Sequence, residues 1–151
     1  MGDGPIHRIL ARNTAFAISR YRGHRTCPSF VRRFSIARCK VNARNLILVF
    51  GGDTALTETF AVLRSRGPYE AAIMPIAAYD PWIRNHCTPE EALGMANDAG
   101  AKYIVPIHHQ TFKLSNELMN EPTERLEQAL QTESERLSLR SIGEHFVCPA
   151  T

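Results

Sequence analysis

A chain of 151 residues fits one domain with a moderate core, and 44% hydrophobic residues is ordinary for a globular protein. The longest apolar runs, such as residues 71–78, are far too short to cross a bilayer, and the N-terminus lacks the apolar core of a secretory signal. Net charge +3 conceals a split: residues 1–45 hold ten of the 18 Lys and Arg but only one acid, Asp3, so this part is about +9 and the remainder about −6.

Residues 1–44 form a basic N-terminal segment in which Phe16, Ile18, Tyr21, Phe30, Val31, Phe34 and Ile36 are scattered among arginines without a sustained period. The segment is read as poorly defined or foreign to the rest, with a separate unit over 45–151. Its arginines suit an anionic membrane surface. Nucleic acid is disfavoured because no helix-turn-helix, zinc-finger or aromatic-basic module accompanies them. An Arg-rich, Ser-containing, acid-poor start also resembles an organelle transit segment, and a solvated extension is the plainest reading. The four cysteines, Cys27, Cys39, Cys87 and Cys148, form no Cys-x-x-Cys pair, which points to a reduced chain without a zinc finger.

From Asn45 onward strands and helices alternate. Leu46-Ile47-Leu48-Val49-Phe50 reads as a strand buried on both faces. After Gly51-Gly52-Asp53-Thr54, residues 55–66 place Leu56, Phe60 and Leu63 at helical spacing, with Gly67-Pro68 as the stop. Ala71 to Pro75 is a second strand, followed by a long loop to Cys87. Thr88-Pro89-Glu90-Glu91 predicts a helix start, with Thr88 as cap, Pro89 in the first position and Glu91 closing a capping box. That helix ends near Gly100. Tyr103 to Pro106 is a third strand, a helix follows over roughly 122–138 with Leu126, Leu130 and Leu137 on one face, and 145–148 is a closing strand. This order implies an α/β layer structure, whose ligands gather at the carboxyl ends of strands.

The chemistry-bearing residues sit at those ends. Asp53, behind two glycines, can project into a cleft as a metal ligand or general base, or it can cap the helix that follows. His108 and His109 leave the third strand, and neighbours on extended backbone point to opposite sides, so one of them faces any site shared with Asp53. Otherwise they are hydrogen-bonded loop histidines. His86 precedes a helix N-terminus, where the macrodipole disfavours the imidazolium, so a neutral imidazole there could position a substrate oxygen or simply pack near Trp82. Tyr79-Asp80-Pro81-Trp82 lines a substrate pocket or covers the core edge.

Four stretches in one order carry a resemblance: Gly52-Asp53-Thr54, Met74 to Trp82 (MPIAAYDPW), His86 to Ala92 (HCTPEEA) and Pro106 to Ser115 (PIHHQTFKLS). They resemble the C-terminal half of a metallo-β-lactamase-fold hydrolase, in the branch with N-acylphosphatidylethanolamine-hydrolysing phospholipase D and related phosphodiesterases and lactonases. The resemblance implies an α/β fold, the C-terminal βα repeat of an αββα sandwich. It implies a zinc-dependent hydrolase with one or two ions, Asp53 bridging the metals, His108 a terminal ligand, and His86 an active-site histidine near the substrate phosphate. It leaves His109 outside the ligand set, with Tyr79, Trp82 and His109 as pocket residues. A phosphodiester or phospholipid-like small substrate is the implied partner, and such a centre activates water near neutral pH and clamps both oxygens of the displacement.

The family's His-x-His-x-Asp-His cluster is not in this sequence, and His24, at about the right distance for a further ligand, lacks the expected neighbours. One aspartate and one imidazole leave each of two ions short of a full set. The expectation is therefore a truncated hydrolase, inactive alone or completed by a second copy that covers the exposed half of the sandwich. The alternative is a catalytically dead fragment or a binding module with a basic arm. The expected location is cytoplasmic, with association at a membrane through that arm.

Overall fold

The computed structural model describes residues 7–8, 17–20, 35–41 and 44–149, with side chains from residue 46 onward. Among the described residues there are seven strands: β1 (His7–Arg8), β2 (Ala17–Arg20), β3 (Ser35–Val41), β4 (Arg44–Phe50), β5 (Tyr69–Pro75), β6 (Ala101–Ile107) and β7 (Val147–Cys148). Helices α1 (Thr59–Leu63), α2 (Pro89–Ala99) and α3 (Glu121–Leu130) interleave with them.

The apolar run at 46–50 is the anchor. β4 pairs antiparallel with β3 in the register Ala37↔Leu48 and parallel with β5 in the register Val49↔Ala72. β5 in turn pairs parallel with β6, Ala72 opposite Ile104, giving a five-stranded sheet in the order β2-β3-β4-β5-β6. β1 and β7 form a separate antiparallel pair, His7 opposite Cys148. The period of two along each strand divides the apolar residues between two faces. Val49, Ala72, Met74 and Ile104 meet Phe60 and Leu63 of α1, Met95 and Ala96 of α2, and Leu126 and Leu130 of α3. Leu48, Ala71 and Tyr103, with Leu46, Ile73, Val105 and Phe146, form the cluster of the opposite face. Leu48 and Val49 are buried as a two-faced strand requires, while Phe50 at the exit is 39% exposed.

The helix boundaries follow local chemistry where it is strong. At α2 the Glu91 N–H donates to Thr88 Oγ1 at 3.2 Å and the Thr88 N–H donates to Glu91 Oε2 at 2.9 Å, so the capping box is complete. Gly100 closes the helix at φ 75°, the left-handed conformation glycine adopts without a Cβ clash.

Two expected helices are shorter than their apolar spacing implies. The first spans only Thr59–Leu63 plus a 3₁₀ turn at Arg64–Arg66, and Leu56 lies outside it. Thr54 donates to the Ala55 carbonyl at 2.9 Å and Thr57 Oγ1 accepts from the Thr59 N–H at 3.3 Å, local bonds that compete with helix. The last helix breaks at Gln131, φ 40°, into α3 and a 3₁₀ segment Gln131–Arg136. Tertiary bonds decide this: Arg136 donates to Asn97 Oδ1 at 2.7 Å and to the Lys102 carbonyl at 3.1 Å, tying the segment to α2 and β6. The closing strand shrinks to Val147–Cys148.

Among the described residues, no helix is long and apolar enough to cross a membrane. Of the basic segment 1–44, β2 and β3 join the main sheet and β1 pairs with β7. His24, Cys27 and most of the arginines lie outside the described residues, and so does what the basic arm was expected to touch.

The capping box yields a test of this part of the fold. Thr88→Ala removes the side-chain acceptor for one orphan N–H and is expected to lower unfolding stability by about 1 kcal/mol. Urea denaturation measures it as a lower midpoint with an unchanged m-value.

Candidate metal centre

Because β4, β5 and β6 run parallel, their carboxyl ends emerge at one edge of the sheet. Each exit turns through left-handed backbone: Gly52 at φ 57°, Ala78 at φ 63° and His108 at φ 65°. Glycine does this freely, but a side chain at positive φ carries strain that clusters at functional sites. At the first exit the Gly51 N–H still donates to the Ile73 carbonyl at 2.8 Å, and the chain then reverses and presents Asp53. A Cβ on Gly51 would stand 3.0 Å from Met74 Sδ, so β4 leaves the sheet in a contact where a side chain would need the Met74 thioether to give way.

Asp53 is not the cap of α1. That helix begins at Thr59 with Glu58 in the cap position, which leaves the Asp53 side chain 70% exposed and 3.6 Å from His108 Nε2. That distance is longer than a charge-assisted hydrogen bond. It is close to the edge of a tetrahedron with ligands about 2.1 Å from a zinc ion, roughly 3.4 Å.

His86 completes the group. Its ring stacks on His108 with centroids 5.1 Å apart and planes at 24°, and one ligand atom each from Asp53, His86 and His108 lie within 4.8 Å of one another. The Nδ1 atoms of His86 and His108 are buried without a hydrogen-bond partner. Burial holds the His86 imidazole below its usual 6.5, His108 pushes it the same way, and Asp53 and Glu117 oppose them. The position ahead of α2 predicts a neutral imidazole, and burial is the larger cause of one. The thiol of Cys87 donates to the Pro75 carbonyl at 3.3 Å and fixes this stretch to the end of β5, and burial pushes that thiol up to about 12, an inert anchor.

A carboxylate and two imidazoles within ligand reach of one another fit one divalent ion with a position left open for water or substrate. Among the described residues these three donors do not fill two such sets.

His109 does not join the cluster. The expectation of opposite-facing neighbours assumed extended backbone, but β6 ends at Ile107 and His108 is left-handed. Both imidazoles consequently line one hollow, open to solvent, together with Ala78, Phe112, Glu117 and Leu118. Burial lowers the His109 pKa, opposed by the Pro106 backbone and Gln110.

The aromatic loop takes another part. Tyr79 is buried, its hydroxyl donates to Glu121 Oε1 at 2.8 Å, and Arg125 lies 4.9 Å from its ring centroid. Burial is the main reason its phenol is pushed up to about 12. Trp82 is half-exposed, with its indole N–H donating to the Leu114 carbonyl at 3.4 Å. Neither residue lines the hollow; both brace the loop that carries His86.

Residues 16–109 match the model of the beta-lactamase superfamily domain. The chain belongs to this family. An uncharacterized protein of Mycobacterium tuberculosis is 38% identical over 89 residues, which covers 56% of this chain and 24% of that protein. The N-acyl-phosphatidylethanolamine-hydrolyzing phospholipase D of Saccharomyces cerevisiae is 34% identical over 89 residues, 55% of this chain and 19% of that one. The match thus spans a quarter or less of these relatives. Igni18, a metallo hydrolase of Ignicoccus hospitalis, superposes with a TM-score of 0.57 at 18% identity over 100% of this chain and 60% of its own. A metallo-β-lactamase superfamily protein of Thermotoga maritima gives 0.51 at 18% identity over 85% and 58%. The fold is that of a metallo-β-lactamase domain, of which this chain forms part.

The depressed imidazoles fix a pH dependence for metal-free protein. His86 and His109 have folded-state pKa values below 6.5, so the unfolded chain takes up those protons first. Stability is therefore lost as pH falls below about 6.5 and levels off beneath the folded-state values. Chelator-treated protein is expected to show a lower urea midpoint at about pH 5 than at about pH 7, and His109→Asn should shrink the difference.

Proposed function

We propose that the chain is the catalytic-edge portion of a zinc-dependent hydrolase acting on a phosphodiester or phospholipid-like substrate, with Asp53, His86 and His108 holding the metal. The observation that carries this reading is that one ligand atom each from Asp53, His86 and His108 lie within 4.8 Å of one another. The yeast relative's name, an N-acyl-phosphatidylethanolamine-hydrolyzing phospholipase D, supports the substrate class. The mixed nitrogen and oxygen set supports zinc over calcium or magnesium, which prefer oxygen.

A zinc ion held there supplies Lewis acidity toward a phosphoryl oxygen. The chain's own groups do the rest. Asp53, open to solvent on one side, contributes the negative charge that a cation needs. His86 enters neutral, so its lone pair is available near pH 7. His109, on the wall of the adjoining hollow, is placed to hydrogen-bond a substrate oxygen next to the apolar faces of Phe112 and Leu118. A second copy of the chain is the proposed source of further ligands for a two-ion centre.

The test is metal content with activity. Purified chain is expected to hold zinc, and Asp53→Ala and His108→Ala should each lose it. Chelator-sensitive hydrolysis of bis(4-nitrophenyl) phosphate should accompany the metal-loaded wild type and vanish in both variants. Unchanged zinc content in Asp53→Ala would overturn the reading.

A further inference from the structure

Two of the three donors ride on separate loops. His86 belongs to the segment after β5 and His108 opens the segment after β6, and neither loop has regular structure to hold it. A buried carboxylate well downstream joins the two segments. Glu117, 8% exposed, accepts from the Ala78 N–H at 2.5 Å and from the Asp80 N–H at 3.3 Å. The Asn116 N–H returns a bond to the Asp80 carbonyl at 2.9 Å. One carboxylate on the wall of the hollow thus ties the β6 loop to the left-handed turn at Ala78 through which the His86 loop leaves the sheet.

The charge is needed for this. An ionised carboxylate is acceptor-only and can take both N–H groups, whereas an amide offers one acceptor oxygen and sets its own NH₂ against a donor. Burial raises the Glu117 pKa, but Ser115 and the backbone groups of Glu117, Ala78 and Asp80 more than offset it and keep the carboxyl ionised. Burial of so large a polar group is justified only where its bonds are complete, and here they are spent on loop geometry rather than on core.

We propose that Glu117 is a positioning residue of the metal centre, setting the separation of His86 and His108 by clamping the Ala78–Asp80 backbone. The inference rests on the metal-binding reading above, and the experiment separates the two. Cobalt(II), which reports ligand number through its visible spectrum, is titrated into chelator-treated chain, with thermal unfolding of the metal-free protein measured alongside. Glu117→Gln is expected to weaken cobalt affinity by about 10- to 100-fold, the range for supporting groups behind a ligand, and to change the intensity of the visible bands.

Arg136→Ala is the control for mere destabilisation. It breaks the bonds of 2.7 Å to Asn97 Oδ1 and 3.1 Å to the Lys102 carbonyl that tie the 3₁₀ segment to α2 and β6, and should lower thermal stability with cobalt affinity intact. Glu117→Asp retains the charge but withdraws it by one methylene. It carries the test if the Gln variant does not fold, with an affinity between wild type and loss. Wild-type affinity and spectrum in folded Glu117→Gln or Glu117→Asp overturn the positioning role while leaving the metal centre standing. A wild type without a cobalt spectrum overturns the metal centre and this inference together.

Discussion

Parallel pairing of β4, β5 and β6 is the constraint from which the chemistry follows. Parallel strands need crossover connections, so each must be followed by chain that climbs away from the sheet and returns. α1 and α2 make the two crossovers and bury Phe60, Leu63, Met95 and Ala96 against one sheet face. Three successive carboxyl ends are thereby forced to one edge. Left-handed turns at Gly52, Ala78 and His108 then bend the exits over that edge instead of continuing the strands. Asp53 arrives from the interior strand β4 and His108 from the edge strand β6, on opposite sides of β5, and His86 comes back to them along the loop from β5 itself.

Such an arrangement costs stability in the absence of a cation. Two imidazole nitrogens lie buried without donors, a carboxylate stands beside them at a distance too long for a hydrogen bond, and burial opposes protonation of His86. Each unpaired buried polar atom is worth about 1–3 kcal/mol of lost solvation. Such local frustration in an otherwise consistent fold is where function is expected. The surrounding structure supplies the compensation: the capping box at Thr88, the Cys87 thiol on Pro75, and the network of Tyr79, Glu121, Arg125 and Glu90 all grip the His86 loop from behind.

The parts of this that sequence makes legible are those with local causes. A dense apolar run, a capping box and a glycine stop at residue 100 specify β4 and α2 to within two residues, and for α2 the decisive contacts lie within four positions. The donors are visible too, since Asp53, His86 and His108 each sit at a strand exit or helix start. What sequence conceals is set by partners far along the chain. Glu117 lies in a polar tract that reads as surface, and its burial depends on backbone N–H groups 39 and 37 positions away. Tyr79 reads as a pocket wall because nothing nearby announces that Glu121 and Arg125 claim it. The late start of α1 comes instead from local threonine bonds that its apolar spacing hides, while the break at Gln131 comes from Arg136 reaching α2 and β6.

The central claim is that Asp53, His86 and His108 form one ligand set. X-ray absorption at the zinc edge tests it most directly on purified chain loaded with one equivalent of zinc. The account predicts two imidazoles per zinc at about 2.0–2.1 Å and a carboxylate oxygen at about 2.0–2.2 Å, falling to one imidazole in His86→Ala. A spectrum with no imidazole scattering, or one unchanged by His86→Ala, would contradict it.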